Sequence, residues 1–486
     1  MTTTADDAPK GGMPRSRLIG LFTGLVLLLI TLLFPPPGDL PGSAWAALGL
    51  MMLMAAWWAT EAIPIPATSL VPIVLIPALD LGSVKDATTP YANPIIFLFL
   101  GGFTLGLAMQ RWNLHRRVAL HILLKVGTSP RRQIGGFMLA TAFLSMWVSN
   151  TATTIMMLPI GLSVLSMMEG SDEDSRRRFA VALLLAIAYS ASVGGIATLI
   201  GTPPNALLAG YLSDEGINVG FAQWMVIGVP IALLMLVIIW WWLTRRDFGL
   251  GGSGDSGQSI RDELAGLGRM SNAEVRVAIV FVLTAAAWIF RPLYSDLAAL
   301  SWVSDTVIAI FAAIMLFLIR SGQRDGNALM EWDVARDLPW GVLLLFGGGL
   351  ALAGVISSSG LADAIAESMS ALDMLPMLML VGLVVAVIIF LTEVTSNTAT
   401  AAAFLPLLGA LAMGQDISPV LLTVPAAIAA SCAFMMPVAT PPNAIVFGSG
   451  HLAISDMIKA GFVLNLIGIL LVTLLGYLLM GVAFSV

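Results

Sequence analysis

The pentapeptide Ser149-Asn150-Thr151-Ala152-Thr153 (S-N-T-A-T) recurs unchanged at residues 396–400. Both copies lie inside long apolar segments, where hydroxyl, amide and freed backbone groups have no bulk water to bond. Such groups are tolerated at membrane depth only where protein or a water-filled cavity covers them. Two matched copies therefore indicate a function shared between two parts of the chain.

The composition is typical of a polytopic membrane protein. Of 486 residues, 58% are hydrophobic and 11% are charged, and the mean hydropathy is +0.93, whereas soluble domains average about 25% charged residues. Many segments reach the roughly 20 apolar residues of a spanning helix, and none alternates like an outer-membrane strand. We therefore expect an all-α protein in a lipid bilayer, with no nucleic-acid partner. The single cysteine, Cys432, excludes an intrachain disulfide.

The apolar segments predict eleven crossings and two hairpins. The predicted crossings are 17–34, 44–60, 63–80, 93–111, 179–212, 224–245, 273–291, 304–320, 338–358, 418–450 and 457–484. The hairpin-like segments are 133–168 and 376–413. If the N-terminal tail, residues 1–16, is cytoplasmic, 21 of the 23 Lys and Arg residues lie on the cytoplasmic side, and only Lys85 and Arg291 lie outside. This asymmetry predicts a multi-pass protein of the inner or plasma membrane with a cytoplasmic N-terminus.

The two halves of the chain resemble each other. A flexible polar linker is predicted at 249–259, G-L-G-G-S-G-D-S-G-Q-S. On either side of it, Gly101-Gly102 matches Gly347-Gly348, and T-P-P-N occurs at 202–205 and 440–443. After the first span, each half holds five crossings and one hairpin. Because five is odd, the second half must be inverted relative to the first, which predicts two inverted repeats.

Two amphipathic stretches, 113–126 and 361–372, follow matched positions in the halves and are predicted to lie at the membrane interface. In the first, the polar face is predicted to hold Arg116, Arg117, His121 and Lys125, opposite Leu114, Val118 and Ile122. In the second, Asp363 and Glu367 oppose Leu361, Ile365 and Leu372. An ordinary solvated loop helix is the alternative for each.

Each hairpin is too short for two comfortable crossings. In 133–168 the motif lies near the centre, so each arm has about 17 residues, or roughly 25 Å of helix. A re-entrant hairpin with its tip buried at membrane depth is therefore predicted, the alternative being two short spans joined by a Ser-Asn turn. The segments 179–212 and 418–450 are too long for one straight crossing, and T-P-P-N interrupts both.

Hairpin tips and helix breaks expose both kinds of helix end. The C-terminal end of a helix presents carbonyl groups that suit a cation, and the N-terminal end presents N–H groups that suit an anion. Because the proposed tips and breaks hold no Lys or Arg, hydroxyls, amides, helix ends and bound cations would hold the anion. The uncharged, oxygen-rich sites suit sodium better than a transition metal, which prefers His or Cys ligands. The candidate sodium ligands are Ser145, Ser149, Asn150, Gly201, Thr392, Thr395, Asn397 and Ala439, with Gly201 and Ala439 acting through backbone oxygens. Two matched anion-binding ends would fit a substrate with two carboxylates.

For an isolated Ser or Thr in a membrane helix, the alternative to ion binding is a hydrogen bond to the backbone carbonyl four residues earlier. Glu393 is an acid inside an apolar segment, and such groups are costly enough to suggest function. It could be a proton site or an anchor. The anchor is favoured, because the first copy of the repeat has Met146 in the matching place.

Doubled S-N-T in hairpins with doubled T-P-P-N at helix breaks resembles the divalent anion/sodium symporter family, the sodium-coupled dicarboxylate and citrate carriers of the ion transporter superfamily. The resemblance implies an elevator mechanism, in which a transport domain slides through a scaffold that also forms a homodimer. It implies that the substrate contacts Asn150, Thr151, Asn397 and Thr398, with Thr202, Pro203, Thr440 and Pro441 close by. The implied scaffold segments are 17–132 and 273–375, with interfacial helices at 113–126 and 359–372. The implied transport halves are 133–247 and 376–486, and 248–272 is a flexible cytoplasmic linker.

The function predicted from these features is sodium-coupled import of C4-dicarboxylates such as succinate, malate or fumarate. A dicarboxylate exchanger, a citrate or sulfate carrier of the same family, and a passive anion channel are alternatives. An intramembrane hydrolase is a further alternative, because Gly448-Ser449-Gly450-His451 places a serine near a histidine. With no second histidine nearby and no H-E-x-x-H motif, we predict that the protein is not an enzyme.

Overall fold

The structure is a computed structural model that describes residues 14–127, 129–167, 172–246, 248, 256–323, 326–368 and 375–484. Within these ranges the chain forms 23 α-helices and a 3₁₀ turn at Thr89–Ala92, and no β-strand. The first twelve helices are α1 Arg15–Leu33, α2 Gly42–Thr60, α3 Ile65–Thr68, α4 Val71–Ala78, α5 Val84–Thr88, α6 Pro94–Arg111, α7 Leu114–Val126, α8 Pro130–Ser145, α9 Asn150–Ser166, α10 Glu173–Ile196, α11 Pro203–Asp214 and α12 Phe221–Thr244. The predicted all-α class is confirmed for the described residues.

The other eleven helices belong to the second half of the chain. They are α13 Ser256–Gly266, α14 Asn272–Tyr294, α15 Asp305–Leu318, α16 Trp332–Ala335, α17 Trp340–Ser358, α18 Leu361–Ser368, α19 Met377–Thr392, α20 Asn397–Gly414, α21 Val420–Ala430, α22 Pro441–Gly448 and α23 Ile454–Phe484.

Nine segments in the described part of the chain are long and apolar enough to cross a membrane, and five apolar helical segments are shorter. The protein is therefore a multi-pass membrane protein. The nine include α20, an arm of the second hairpin, and the shorter group includes α9 and α19, which are also hairpin arms. Helix length alone does not separate hairpin arms from crossings, so the count of eleven crossings stays a prediction.

The two hairpins and the two helix breaks occur where the sequence predicts them. Helices α8 and α9 have 16 and 17 residues, and α19 and α20 have 16 and 18. Four residues join the arms in each case, 146–149 and 393–396. Proline opens the half-helix after each break, since Pro203 is the first residue of α11 and Pro441 that of α22. Proline suits this position because an N–H group at the start of a helix would have no intrahelical partner, so its absence costs no hydrogen bond.

The half-helix that follows each break packs against helices of the opposite half of the chain. Helix α22, from the second half, packs against α9 and α10 of the first half. Helix α11, from the first half, packs against α20 and α21 of the second half. Each half-helix thereby packs against the hairpin of the opposite half, and both hairpin tips line one cavity.

The predicted crossing at 63–80 is not a single continuous helix. The segment forms two short helices, α3 and α4, separated by Ser69 and Leu70. Pro72 has no N–H to bond the carbonyl of Thr68, so the helical ladder stops at this point. The hydroxyl of Ser69 donates to the carbonyl of Ile65 (2.8 Å) and stabilises the end of α3.

The predicted flexible linker at 248–272 is partly helical. Residues 249–255 lie outside the described part of the chain, but α13 is a three-turn helix that contacts α7 and α9. Ile260 is buried, and the hydroxyls of Ser259 and Ser163 are 2.8 Å apart. An amphipathic helix therefore follows the glycine-rich start of the linker and packs against α7 and α9.

The prediction that Arg117 lies on the polar face of the first amphipathic helix is wrong. Its side chain is buried on the packed side of α7 and bonds Glu274 of α14 (2.7 Å) and the carbonyl of Gly268 (3.0 Å). An arginine is tolerated there because its charge and its donors are satisfied. In the second amphipathic segment, α18 ends at Ser368, and residues 369–372 of the predicted helix lie outside the described residues.

Candidate binding site between the hairpin tips

The two hairpin tips face a single cavity of about 1100 Å³. All the residues that the family resemblance places at or near the substrate line it: Asn150, Thr151, Thr202, Pro203, Asn397, Thr398, Thr440 and Pro441. Ser149, Gly201, Thr395 and Ala439, from the predicted sodium ligands, line it as well. Segments 247 or 238 residues apart in sequence thus meet around one space.

Four helices begin at this cavity: α9, α20, α11 and α22. Their N-caps are Ser149, Ser396, Thr202 and Thr440. Only part of the first-turn donors is capped, since Ser149 accepts from Ala152 N (3.3 Å) and Thr440 from Asn443 N (3.2 Å). Helix N-termini carry partial positive charge and attract anions. The cavity is therefore suited to an anion without a lysine or arginine at its centre.

Ser145, Asn150 and Gly201 come together beside the first tip. The Ser145 hydroxyl is 2.5 Å from Asn150 Oδ1 and 2.7 Å from the carbonyl oxygen of Ala191. That atom of the Asn150 amide is also 3.1 Å from the Ala191 oxygen and 3.2 Å from the Gly201 oxygen. One hydroxyl proton thus faces several acceptors. A cation would satisfy this oxygen-rich arrangement, and so would reversal of the amide, which turns its nitrogen toward both carbonyls.

The second tip repeats this arrangement in part. The Thr392 hydroxyl is 2.7 Å from Asn397 Oδ1 and 3.1 Å from the carbonyl oxygen of Ala430. Thr392 thus takes the place of Ser145, and Ala430 that of Ala191. Neutral oxygens again converge at this tip, an arrangement that suits sodium.

The remaining predicted ligands make other contacts. Ser149 caps α9, and Thr395 bonds the Leu391 carbonyl of its own helix (2.9 Å) and the Thr400 hydroxyl (2.6 Å). Ala439 lines the cavity, and its N–H donates to the Met436 carbonyl (3.2 Å). These contacts do not bring Ser149, Thr395 or Ala439 to the two hydroxyl-amide pairs.

A family model described as the sodium:sulfate symporter transmembrane region matches residues 15–484. The chain belongs to this transporter family. The family resemblance seen in the sequence is thereby confirmed, and membership agrees with the prediction of a transporter and not an enzyme. The Ser449 hydroxyl donates to the Val446 carbonyl (2.6 Å), an ordinary contact near the end of a helix.

Two curated relatives of this family member are staphylococcal proteins. The sodium-dependent dicarboxylate transporter SdcS of Staphylococcus saprophyticus is 45% identical over 476 residues, which cover 95% of this chain and 91% of the relative. SdcS of Staphylococcus aureus strain USA300 is 44% identical over 498 residues, which cover 100% and 95%. Among solved structures, the YdaH transporter of Alcanivorax borkumensis is similar with a TM-score of 0.58 and 17% identity, over 97% of this chain and 99% of that chain. At this identity, the likeness to YdaH concerns the fold alone.

In this family member, matched asparagines hold both helix breaks open. The Asn205 side chain donates to the carbonyls of Gly195 (3.1 Å) and Thr198 (2.8 Å). At the other break, Asn443 donates to the carbonyls of Ala433 (3.2 Å) and Met436 (3.0 Å). The asparagine of T-P-P-N thus replaces backbone donors that the interrupted helix lacks.

Glu393 makes the contacts of an anchor. Its carboxylate is buried and accepts the backbone N–H groups of Phe434 (2.7 Å), Met435 (2.9 Å) and Met436 (2.9 Å). These residues form the break between α21 and α22. In the first half, the hydroxyl of Thr198 donates to the Met146 carbonyl (2.5 Å), so a different contact joins the break to the hairpin there.

Sequence reasoning missed part of the cavity wall. Ser192 of α10 lines the cavity, and its buried hydroxyl has no hydrogen-bond partner among the described residues. Phe103 and Trp58 add an aromatic edge. Nothing in the local sequence separates Ser192 from Ser190, which is equally buried on the same helix. At the mouth, Arg17 of α1 lies 3.4 Å from Glu61.

Proposed function

We propose that this protein is a sodium-coupled symporter of C4-dicarboxylates such as succinate, malate and fumarate, and that it imports them into the cell. The observation that carries the proposal is the pairing of two hairpin tips across one cavity, each with an oxygen-rich cluster and a helix N-terminus. Both relatives at 44–45% identity are named sodium-dependent dicarboxylate transporters.

A short dianion matches the doubled geometry. Each tip offers the N-terminus of a hairpin arm, with Asn150-Thr151 on one side and Asn397-Thr398 on the other. Of the described residues that line the cavity, Arg17 at the mouth is the only lysine or arginine. A carboxylate at each tip would be held by helix ends and hydroxyls. Ser192, a buried hydroxyl without a partner among the described residues, would supply one further donor.

Asn150 couples the cation to the substrate. Its amide belongs to the oxygen cluster with Ser145, and its backbone is the first residue of α9. A sodium ion that holds the amide oxygen inward fixes the first turn of α9, and the N–H groups of that turn then face the cavity. Asn397 does the same at the second tip. The affinity for each ligand therefore rises when the other is bound.

We further propose that the two halves are inverted repeats and that the N-terminus is cytoplasmic. The ion pairs Arg111–Glu331, Arg117–Glu274 and Arg177–Asp456 each join segments predicted on the cytoplasmic side, and Arg291–Asp305 joins segments predicted outside. The cavity reaches Ser16 and Arg17 at the start of α1. It would thus open to the cytoplasm.

The reciprocal packing of α11 and α22 supports an elevator mechanism, because it makes the hairpins and broken helices one body that could move together against the rest. The segments 133–247 and 376–486 would supply this moving body. The segments 17–132 and 273–375 would supply the scaffold and a homodimer contact.

The test is uptake of labelled succinate into proteoliposomes with and without an inward sodium gradient. Symport predicts uptake that saturates, requires external sodium and needs no internal substrate. An exchanger would instead require internal dicarboxylate and ignore sodium, and a channel would not saturate. Because the family model is described as a sodium:sulfate symporter region, competition by unlabelled sulfate and citrate tests the two related substrates.

A further inference from the structure

A second cavity, of about 640 Å³, lies at the ends of three membrane helices and shares no lining residue with the first. The start of α10, the end of α12 and the start of α23 form its walls. Its charged lining residues are Arg177, Arg178, Arg245, Arg246, Lys459, Asp174 and Asp456. Five cations and two acids give this small space a formal net charge of +3.

Most of this positive charge is not neutralised within the protein. Arg177 pairs with Asp456 (3.5 Å), and Arg178 donates to the hydroxyl of Ser175 (2.9 Å). Among the described residues, Arg245, Arg246 and Lys459 form no ion pair. Three cations converge on one cavity there, so an anion bound among them would relieve their mutual repulsion.

The cavity is amphipathic, which decides the class of anion. Its apolar lining consists of Val181, Ala182, Leu185, Trp242, Leu243, Phe248, Ala460 and Val463. The guanidinium of Arg245 stacks on the Trp242 ring, with 3.2 Å from Cζ to the ring centroid. Such stacking keeps the arginine at the boundary between apolar and polar surroundings. A free phosphate would gain nothing from the apolar wall.

We propose that this cavity binds the phosphodiester headgroup of an anionic phospholipid. The headgroup lies among Arg245, Arg246 and Lys459, and the acyl chains run along α12 and α23. Exposed apolar side chains continue along both helices, with Val237 at 59% and Leu466 at 47% exposure. Basic pockets between membrane helices are recognised sites for anionic headgroups. The lipid therefore fastens the ends of α10, α12 and α23 to each other.

The test uses the purified full-length protein and native mass spectrometry. Three probes are added separately: palmitoyl-oleoyl phosphatidylglycerol, the phosphatidylcholine with the same chains, and inorganic phosphate. We expect one phosphatidylglycerol per chain to be retained at least about tenfold more strongly than phosphatidylcholine. The variant R246Q/K459Q, which keeps the Arg245–Trp242 stack, should lose most of this preference.

Two further variants make the result specific. R131Q/R132Q removes two exposed arginines that do not line the cavity, and it should bind phosphatidylglycerol like the native protein. R246K/K459R keeps both charges and should also keep binding. Equal retention of both lipids, an unchanged preference in R246Q/K459Q, or the same loss in R131Q/R132Q would overturn the proposal. Displacement of the lipid by millimolar inorganic phosphate would overturn the lipid assignment in favour of a free phosphate.

Discussion

The Asn465 amide donates to a carboxylate oxygen of Glu393 over 2.7 Å, and this bond joins the last helix, α23, to the tip of the second hairpin. The same carboxylate accepts three backbone N–H groups of the break between α21 and α22. One buried acid therefore holds together a hairpin, a broken helix and a complete helix. Its matching residue in the first half, Met146, contributes only a backbone carbonyl.

We expect Glu393→Gln to lower the free energy of unfolding by about 2–4 kcal/mol, because hydrogen bonds to a buried charge are strong and the new NH₂ would oppose a backbone donor. The loss should appear as a lower Tm in detergent. Glu367→Gln, on the exposed surface of α18, is the control. A Tm equal to that of the native protein would contradict the anchoring role.

Asn150→Ala and Asn397→Ala should each reduce sodium-driven succinate uptake by about 100-fold, because each removes an amide that serves both the cation cluster and the tip. Expression and Tm should stay close to those of the native protein, since the helices on both sides of each asparagine stay packed. Asn218→Ala, at an exposed loop position, should transport normally. Full activity in both variants would remove the assignment of the two tips as the site.

Ser145→Ala should raise the sodium concentration for half-maximal uptake by about tenfold, because a hydroxyl that faces both Asn150 and the Ala191 carbonyl is lost. Ser145→Thr should preserve sodium affinity, since Thr392 stands in the matching place of the second half. Ser166→Ala, at the exposed end of α9, is the matched control. If the sodium dependence of Ser145→Ala equals that of the control, the hydroxyl does not act at a cation site.

Gly201→Ala should abolish uptake, because an added Cβ would lie 2.4 Å from the backbone oxygen of Gly195. The break between α10 and α11 would have to widen, which displaces the Gly201 carbonyl from Asn150. Gly354→Ala, where an added Cβ meets nothing within 4 Å, should leave uptake unchanged. Succinate uptake in matched proteoliposomes checks both. The matching position in the second half already carries Ala439, so normal uptake by Gly201→Ala would show that the first break has the same room.

A cysteine at position 85 should react with a membrane-impermeant maleimide in intact cells, and a cysteine at position 125 only after lysis. Lys85 and Lys125 are exposed and are predicted on opposite sides of the membrane. The native Cys432 is fully buried and gives little background. Labelling of Lys125→Cys but not Lys85→Cys in intact cells would reverse the proposed orientation.

Features that depend on a few consecutive residues could be read directly from the sequence. The arm lengths of the hairpins and the two breaks at T-P-P-N follow from local signals, namely apolar length and proline position. The meeting of both S-N-T-A-T copies at one cavity was expected only from the repeat and the family resemblance. The interruption of the segment 63–80 at Ser69 and Leu70 was missed although it is local, because the apolar length of the segment outweighed the prolines that divide it. The helix α13 was not predicted, because the glycine-rich residues before it suggested a flexible linker throughout.

Apart from the interruption of 63–80 and the helix α13, the sequence alone determined which segments are helical, where they are interrupted and which residue types reach the cavity. The tertiary structure decided which oxygen faces which. It chose Ser145 and Thr392 over Ser149 and Thr395 as partners of the asparagines, and it supplied the carbonyls of Ala191 and Ala430, which no side-chain pattern marks. It also buried Arg117 against Glu274, 157 residues away. Such choices depend on how distant helices pack, and a backbone carbonyl has the same chemistry at every position until packing places it beside a partner.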